Sequence, residues 1–102
     1  MGKPLTDRTR KLLELIDDLS MRDEITSLFE SDGSLYGPAT TEVLERVRFS
    51  VIKLTMQGPG MFQVAAELFR VDTRDLLVRA EFADDLRAHE NWCRSMLAGK
   101  DV

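Results

Sequence analysis

The sequence predicts an all-α fold, a compact bundle of five or six helices with a helix-turn-helix-like pair at about 61–82. Three observations carry this prediction. Apolar residues recur at intervals of three and four along most of the chain, cap-forming Ser, Thr and Asp residues precede those runs, and two Gly/Pro-bearing breaks, SDGSLYGPA at 31–39 and GPG at 58–60, separate them.

The first run, residues 8–19, spaces Leu12, Leu15, Ile16 and Leu19 as one face of a helix, with Thr6 or Asp7 as its cap. Ser20, followed by Asp23 and Glu24, resembles a capping signal. Met21, Ile25, Leu28 and Phe29 then extend a stripe to Glu30, so two helices meeting near Ser20, or one bent helix, are expected. Residues 31–39 read as a loop pinned by Leu35 and Tyr36; its sole carboxylate, Asp32, is too few for a calcium cage.

Residues 40–57 form the expected central helix. Thr40 or Thr41 caps it, Glu42 and Glu45 suit its positive end, and Leu44, Val47, Val51 and Leu54 line one face while Phe49, Ile52 and Met56 line a neighbouring one. Val47, Phe49 and Val51 alternate as a strand would, but Ile52 breaks the alternation. At the following break Gly58 suits a left-handed C-cap and Pro59 forbids continuation. Met61 to Arg70 then offers Phe62, Ala65, Ala66 and Phe69 for packing. Asp72 caps a further helix with Leu76, Leu77 and Ala80 inward, ending near Phe82. Asp84 or Asp85 caps the last helix, whose stripe is Leu86, His89, Cys93 and Met96, with Trp92 and Leu97 beside it. The chain reads as a single helical domain over 1–102, with 98–102 a fraying tail.

Composition narrows the chemistry. Fourteen basic and eighteen acidic residues give a formal charge of −4, and the basic and acidic counts are five and seven over 1–30, three and three over 31–60, and six and eight over 61–102. No third of the chain is basic, which disfavours nucleic acid. No apolar run approaches the ~20 residues of a membrane span, and the N-terminal residues lack a secretory core, so a cytoplasmic setting is expected. The one cysteine, Cys93, excludes an intrachain disulfide and is expected to act as a small buried hydrophobe. No metal site, cofactor motif or phosphate-cradling loop is expected.

The stretch VAAELFRVDTRDLLVRAEF at 64–82 resembles a helix-turn-helix unit. Ala66 fits a close helix crossing, Val71 the apolar turn position, Asp72 the cap and Leu76 the anchor of the second helix. Arg70 stands where such units favour glycine, and Asp75 and Glu81 offset Arg74 and Arg79. Arg70, Thr73, Arg74 and Arg79 are the candidate contacts to a partner protein or to DNA. Pairs such as Glu42–Arg46, Asp75–Arg79 and Glu90–Arg94 have the spacing of a solvated helix face. A structural ion-pair network is also expected, in which Arg46, Arg48 or Arg74 crosses to Asp72 or Asp75.

His89 and Trp92 are read as core or boundary residues, with one histidine nitrogen satisfied. His89 and Cys93 lie one turn apart, but no oxyanion donor or cleft accompanies them, so no catalytic residue is expected. Met21, Met56, Met61 and Met96 serve as core filling or line an adaptable groove.

The span 44–92, above all LERVRF at 44–49 and DTRDLLVRAEFADDLRAHENW at 72–92, resembles a group of short bacterial all-helical proteins of unknown function. Their pattern has an aromatic residue at the position of Thr73 and a glycine at that of Glu81. The resemblance implies a bacterial, cytoplasmic, helical protein. Together these readings lead to the expectation of a non-enzymatic protein–protein interaction or regulatory module, the partner being another protein or a second copy. The alternative is a DNA-binding transcriptional regulator using 64–82.

Overall fold

The computed structural model describes residues 5–30 and 41–98, which form six helices: α1 (Asp7–Glu14), α2 (Leu19–Glu30), α3 (Thr41–Thr55), α4 (Met61–Val71), α5 (Thr73–Arg79) and α6 (Ala88–Ala98). The expected loop at 31–39, with Leu35 and Tyr36, the cap at Thr40 and the tail beyond Ala98 lie outside the described residues. The fold is the all-α bundle that the periodicity predicts. Among the described residues there is no strand, and no helix is long and apolar enough to cross a membrane.

α3 is the axis of the bundle and touches each of the other five helices. Leu44, Val47, Val51 and Leu54 are buried together with Phe49 and Ile52, so both predicted stripes face neighbours. A helix surrounded this way must also hide its polar positions. Ser50 does so by donating to the Arg46 carbonyl at 2.9 Å, and Thr55 donates likewise to Val51 at 2.8 Å. Two aromatic groups fill the space around the axis. Phe29 of α2 meets Phe69 of α4 at 6.0 Å on one side; Phe49, Phe82, His89 and Trp92 gather on the other, with ring centroids 5.7–6.3 Å apart.

The N-terminal helices break earlier than their apolar spacing predicts. α1 stops at Glu14, and Asp18, not Ser20, caps α2 by accepting from Met21 N at 3.2 Å. Arg22 closes the corner from the other side, donating to the carbonyls of Ile16 and Glu14 at the end of α1. Residues 15–18 therefore leave the helical path, and Leu19, expected on the inner stripe, is 67% exposed. Leu86 departs for the same reason. Asp85 caps the turn that leads into α6, accepting from Arg87 N at 2.8 Å, so Leu86 precedes the helix and is 70% exposed.

In the GPG turn the clear left-handed residue is Gly60 (φ 82°), directly before α4, instead of the expected Gly58. The other left-handed residue is Glu81 (φ 67°). Phe82 N donates to Leu77 O at 2.9 Å and Glu81 N to Val78 O at 3.1 Å, which is the paired closure that ends a helix through a left-handed residue. A side chain at that position is strained, and the Lys53–Glu81 ion pair at 3.8 Å, with Glu81 85% exposed, offsets little of it. Glu81→Gly is expected to raise the unfolding free energy by about 0.5–1 kcal/mol. Urea denaturation checks this as a higher midpoint at unchanged slope.

Candidate functional site

The α4–α5 pair carries the residues singled out by the sequence. α4 stays helical through Val71, and Asp72 (φ −152°, ψ 85°) alone separates it from α5, where a DNA-reading unit has a turn of three or four residues. Ala66 and Leu76 are buried at the crossing, as expected. Val71 is not in the turn. As the last residue of α4 its side chain points outward and is 78% exposed, which corrects its expected packing role. Asp72 does cap α5, accepting from Asp75 N at 3.1 Å.

Around this crossing the arginines divide into two groups. Arg79 pairs with Asp75 at 3.2 Å on the surface of α5. Arg70 and Arg74 are exposed and their side chains have no hydrogen-bond or ion-pair partner among the described residues, and Thr73 is half-buried at the start of α5. Val78, one turn after Arg74, is 55% exposed. Arg74 and Val78 are thus exposed one turn apart on α5, and Val71 is exposed at the end of α4.

The expected network of Arg46 or Arg48 with Asp72 or Asp75 takes a different form. Arg46 donates from Nε to the Phe82 carbonyl at 2.9 Å and from Nη2 to the Phe82 and Ala83 carbonyls. Lys53, which the sequence reading did not single out, donates to the Ala80 carbonyl at 2.8 Å and lies 4.9 Å from the centre of the Phe82 ring. These cations sit where α5 ends and its unpaired carbonyls concentrate partial negative charge, which explains why backbone oxygens take them in place of the aspartates. Arg48 is buried, its guanidinium 5.5 Å from the centre of the Phe29 ring. Asp72 and Asp75 are engaged within α5 and its cap.

A second polar cluster was not legible in the sequence. Glu45, buried on α3, accepts from Thr6 and forms an ion pair with Arg8, and Arg8 also lies 5.8 Å from the Phe49 ring centre. Thr6 is the α1 cap, so the carboxylate fixes the start of α1 against the axis. The hydrogen bond that Arg8 donates to Glu45, more than the opposing burial, holds its guanidinium above the ordinary range. The local spacing of Glu45 to Arg48 gave no hint of this partner 37 residues away.

His89 is fully buried against Phe49 and Phe82, and neither ring nitrogen has a hydrogen-bond partner. This corrects the expectation of one satisfied nitrogen: the rings that surround it supply no acceptor. Burial pushes the imidazole below its ordinary range, and it pushes the Cys93 thiol up, away from the thiolate that nucleophilic chemistry requires. Among the described residues no group of three or more His, Cys, Asp or Glu side chains is placed to hold a metal ion.

Beside α4 lies a cleft of about 480 Å³, walled by Asp23 and Glu24 of α2 and by Arg70, with Leu28 and Phe62 also lining it. No protein-family model, curated protein or solved structure matches this chain.

Proposed function

We propose that this chain is a non-enzymatic interaction or regulatory module that docks another protein through the outer side of α4–α5. The observation that carries the reading is the exposure of Val71, Arg74 and Val78 on this helix pair. Two large aliphatic side chains are exposed there beside Arg70 and Arg74, which no carboxylate among the described residues neutralises. Apolar surface combined with available arginine is the composition of protein-interface centres. The bacterial, cytoplasmic setting belongs to the same proposal and is supported by the resemblance over 44–92.

DNA binding by the same segment is the competing reading. Arg70 and Arg74 favour it, while Asp72, Asp75 and the engagement of Arg79 by Asp75 work against phosphate contact. Sedimentation velocity with random duplex DNA at low and moderate salt separates the two. Co-sedimentation that is lost as salt rises, and lost on Arg74→Ala, would establish the DNA reading. Under the interaction reading the protein is indifferent to DNA. Val78→Asp then removes the adducts that a photo-crosslinker at position 74 forms in extract, and leaves the melting temperature nearly unchanged because the side chain is exposed.

A further inference from the structure

The cleft between α2 and α4 holds opposite charges that do not meet. Asp23 and Glu24 stand on one wall and Arg70 on the other, all three are exposed, and none has a side-chain hydrogen-bond or ion-pair partner among the described residues. By contrast, Arg79 is paired with Asp75, and half-buried Arg22 donates to two carbonyls. Leu28 and Phe62 line the cleft, and next to its lining residues in the sequence Leu19 precedes Ser20 and Val71 follows Arg70, both exposed.

We infer that this cleft is the contact surface for a second copy of the chain, in a two-fold dimer where Arg70 of each protomer pairs with Asp23 and Glu24 of its partner. The charge pattern selects this occupant. A partner of one sign would satisfy one wall and be repelled by the other. A two-fold rotation across the cleft lays each wall against its opposite, so every contact is made twice. Leu19 and Val71 supply the apolar surface that such a contact needs, because exposed ion pairs alone contribute little. With a net charge of −4 on each copy, attraction must come from this local pattern and not from the overall field. The inference rests on the interaction reading and names its first partner.

Sedimentation equilibrium across the micromolar range provides the test. The wild-type chain is expected to dimerise. Arg70→Glu, and separately the double variant Asp23→Arg with Glu24→Arg, are expected to weaken dimerisation at least about tenfold, with helical circular dichroism unchanged because all three positions are exposed. Mixing the two variants restores the dimer, since each then offers the other correct charges at both contacts. A wild-type chain that stays monomeric overturns the inference and leaves the Val78→Asp experiment to decide the wider reading. A dimer indifferent to these substitutions, or a mixture without rescue, overturns it as well. A dimer broken by Val78→Asp but not by Arg70→Glu keeps the interaction reading and moves the contact to α5.

Discussion

Phe49→Ala is expected to remove about 3–5 kcal/mol of stability, the range for deleting a fully buried aromatic ring. Phe49 has no exposed surface and is the ring on which three helices converge. Arg8 of α1 lies 5.8 Å from its centre, and His89 and Trp92 of α6 lie at 5.7 and 6.2 Å. Removing it opens a cavity and also withdraws the contacts by which α1 and α6 are fitted to α3. A domain of this size has roughly 5–15 kcal/mol in total, so the loss approaches the threshold of folding. The measurement is urea denaturation followed by the fluorescence of Trp92, the single tryptophan. Phe62→Ala, at a half-buried position, is the comparison and should cost distinctly less. Equal losses would show that Phe49 is not the keystone of the bundle.

Acid should destabilise the protein through His89, and His89→Leu should remove that sensitivity. An unfolded histidine takes up its proton near pH 6.5, whereas the buried one does so only at lower pH. Between the two values the unfolded state binds more protons. Stability is therefore complete above about pH 6.5 and falls as pH falls, by up to about 1.4 kcal/mol per pH unit. Burial is the main cause, and the charged groups that act on the ring oppose one another. Glu90 and Glu45 favour its protonation, Arg46 and Arg8 resist it. Leucine has about the same volume and no polar atom, so His89→Leu also relieves two unpaired nitrogens and is expected to be neutral or stabilising at pH 7. Melting temperatures at pH 7 and pH 5 for both proteins decide the matter. A variant with the wild-type pH profile would assign the acid sensitivity to carboxylates.

The helices themselves were legible because burial on one side imposes a spacing of three and four that the chain cannot hide. α3 was recognisable as the axis from its second stripe, Phe49, Ile52 and Met56, before any neighbour was known. What failed was the assumption that such a stripe stays within one helix. Leu19 and Leu86 have the right spacing but sit beyond breaks set by Asp18 and Asp85, and cap geometry depends on the backbone angles of a single residue. Val71 failed in the converse way, since α4 continued one residue further than a turn would require. Of the candidate site, the exposed arginines at 70 and 74 were identifiable from residue type and position. The partner of Glu45 was not, because Arg8 reaches it only through the packing of α1 on α3.

The tethers from Arg46 and Lys53 to the carbonyls of Ala80, Phe82 and Ala83 have an evolutionary consequence. Each joins a side chain to a group that every amino acid possesses, so the hydrogen bond itself places no demand on the identity of the acceptor residue. Mutational scanning should find positions 46 and 53 intolerant, while half-buried Ala83 tolerates substitution and the limits at Ala80 and Phe82 follow from their own burial. A search for correlated substitutions among descendants of this chain would miss the connection between α3 and the end of α5, although it is among the most direct in the molecule.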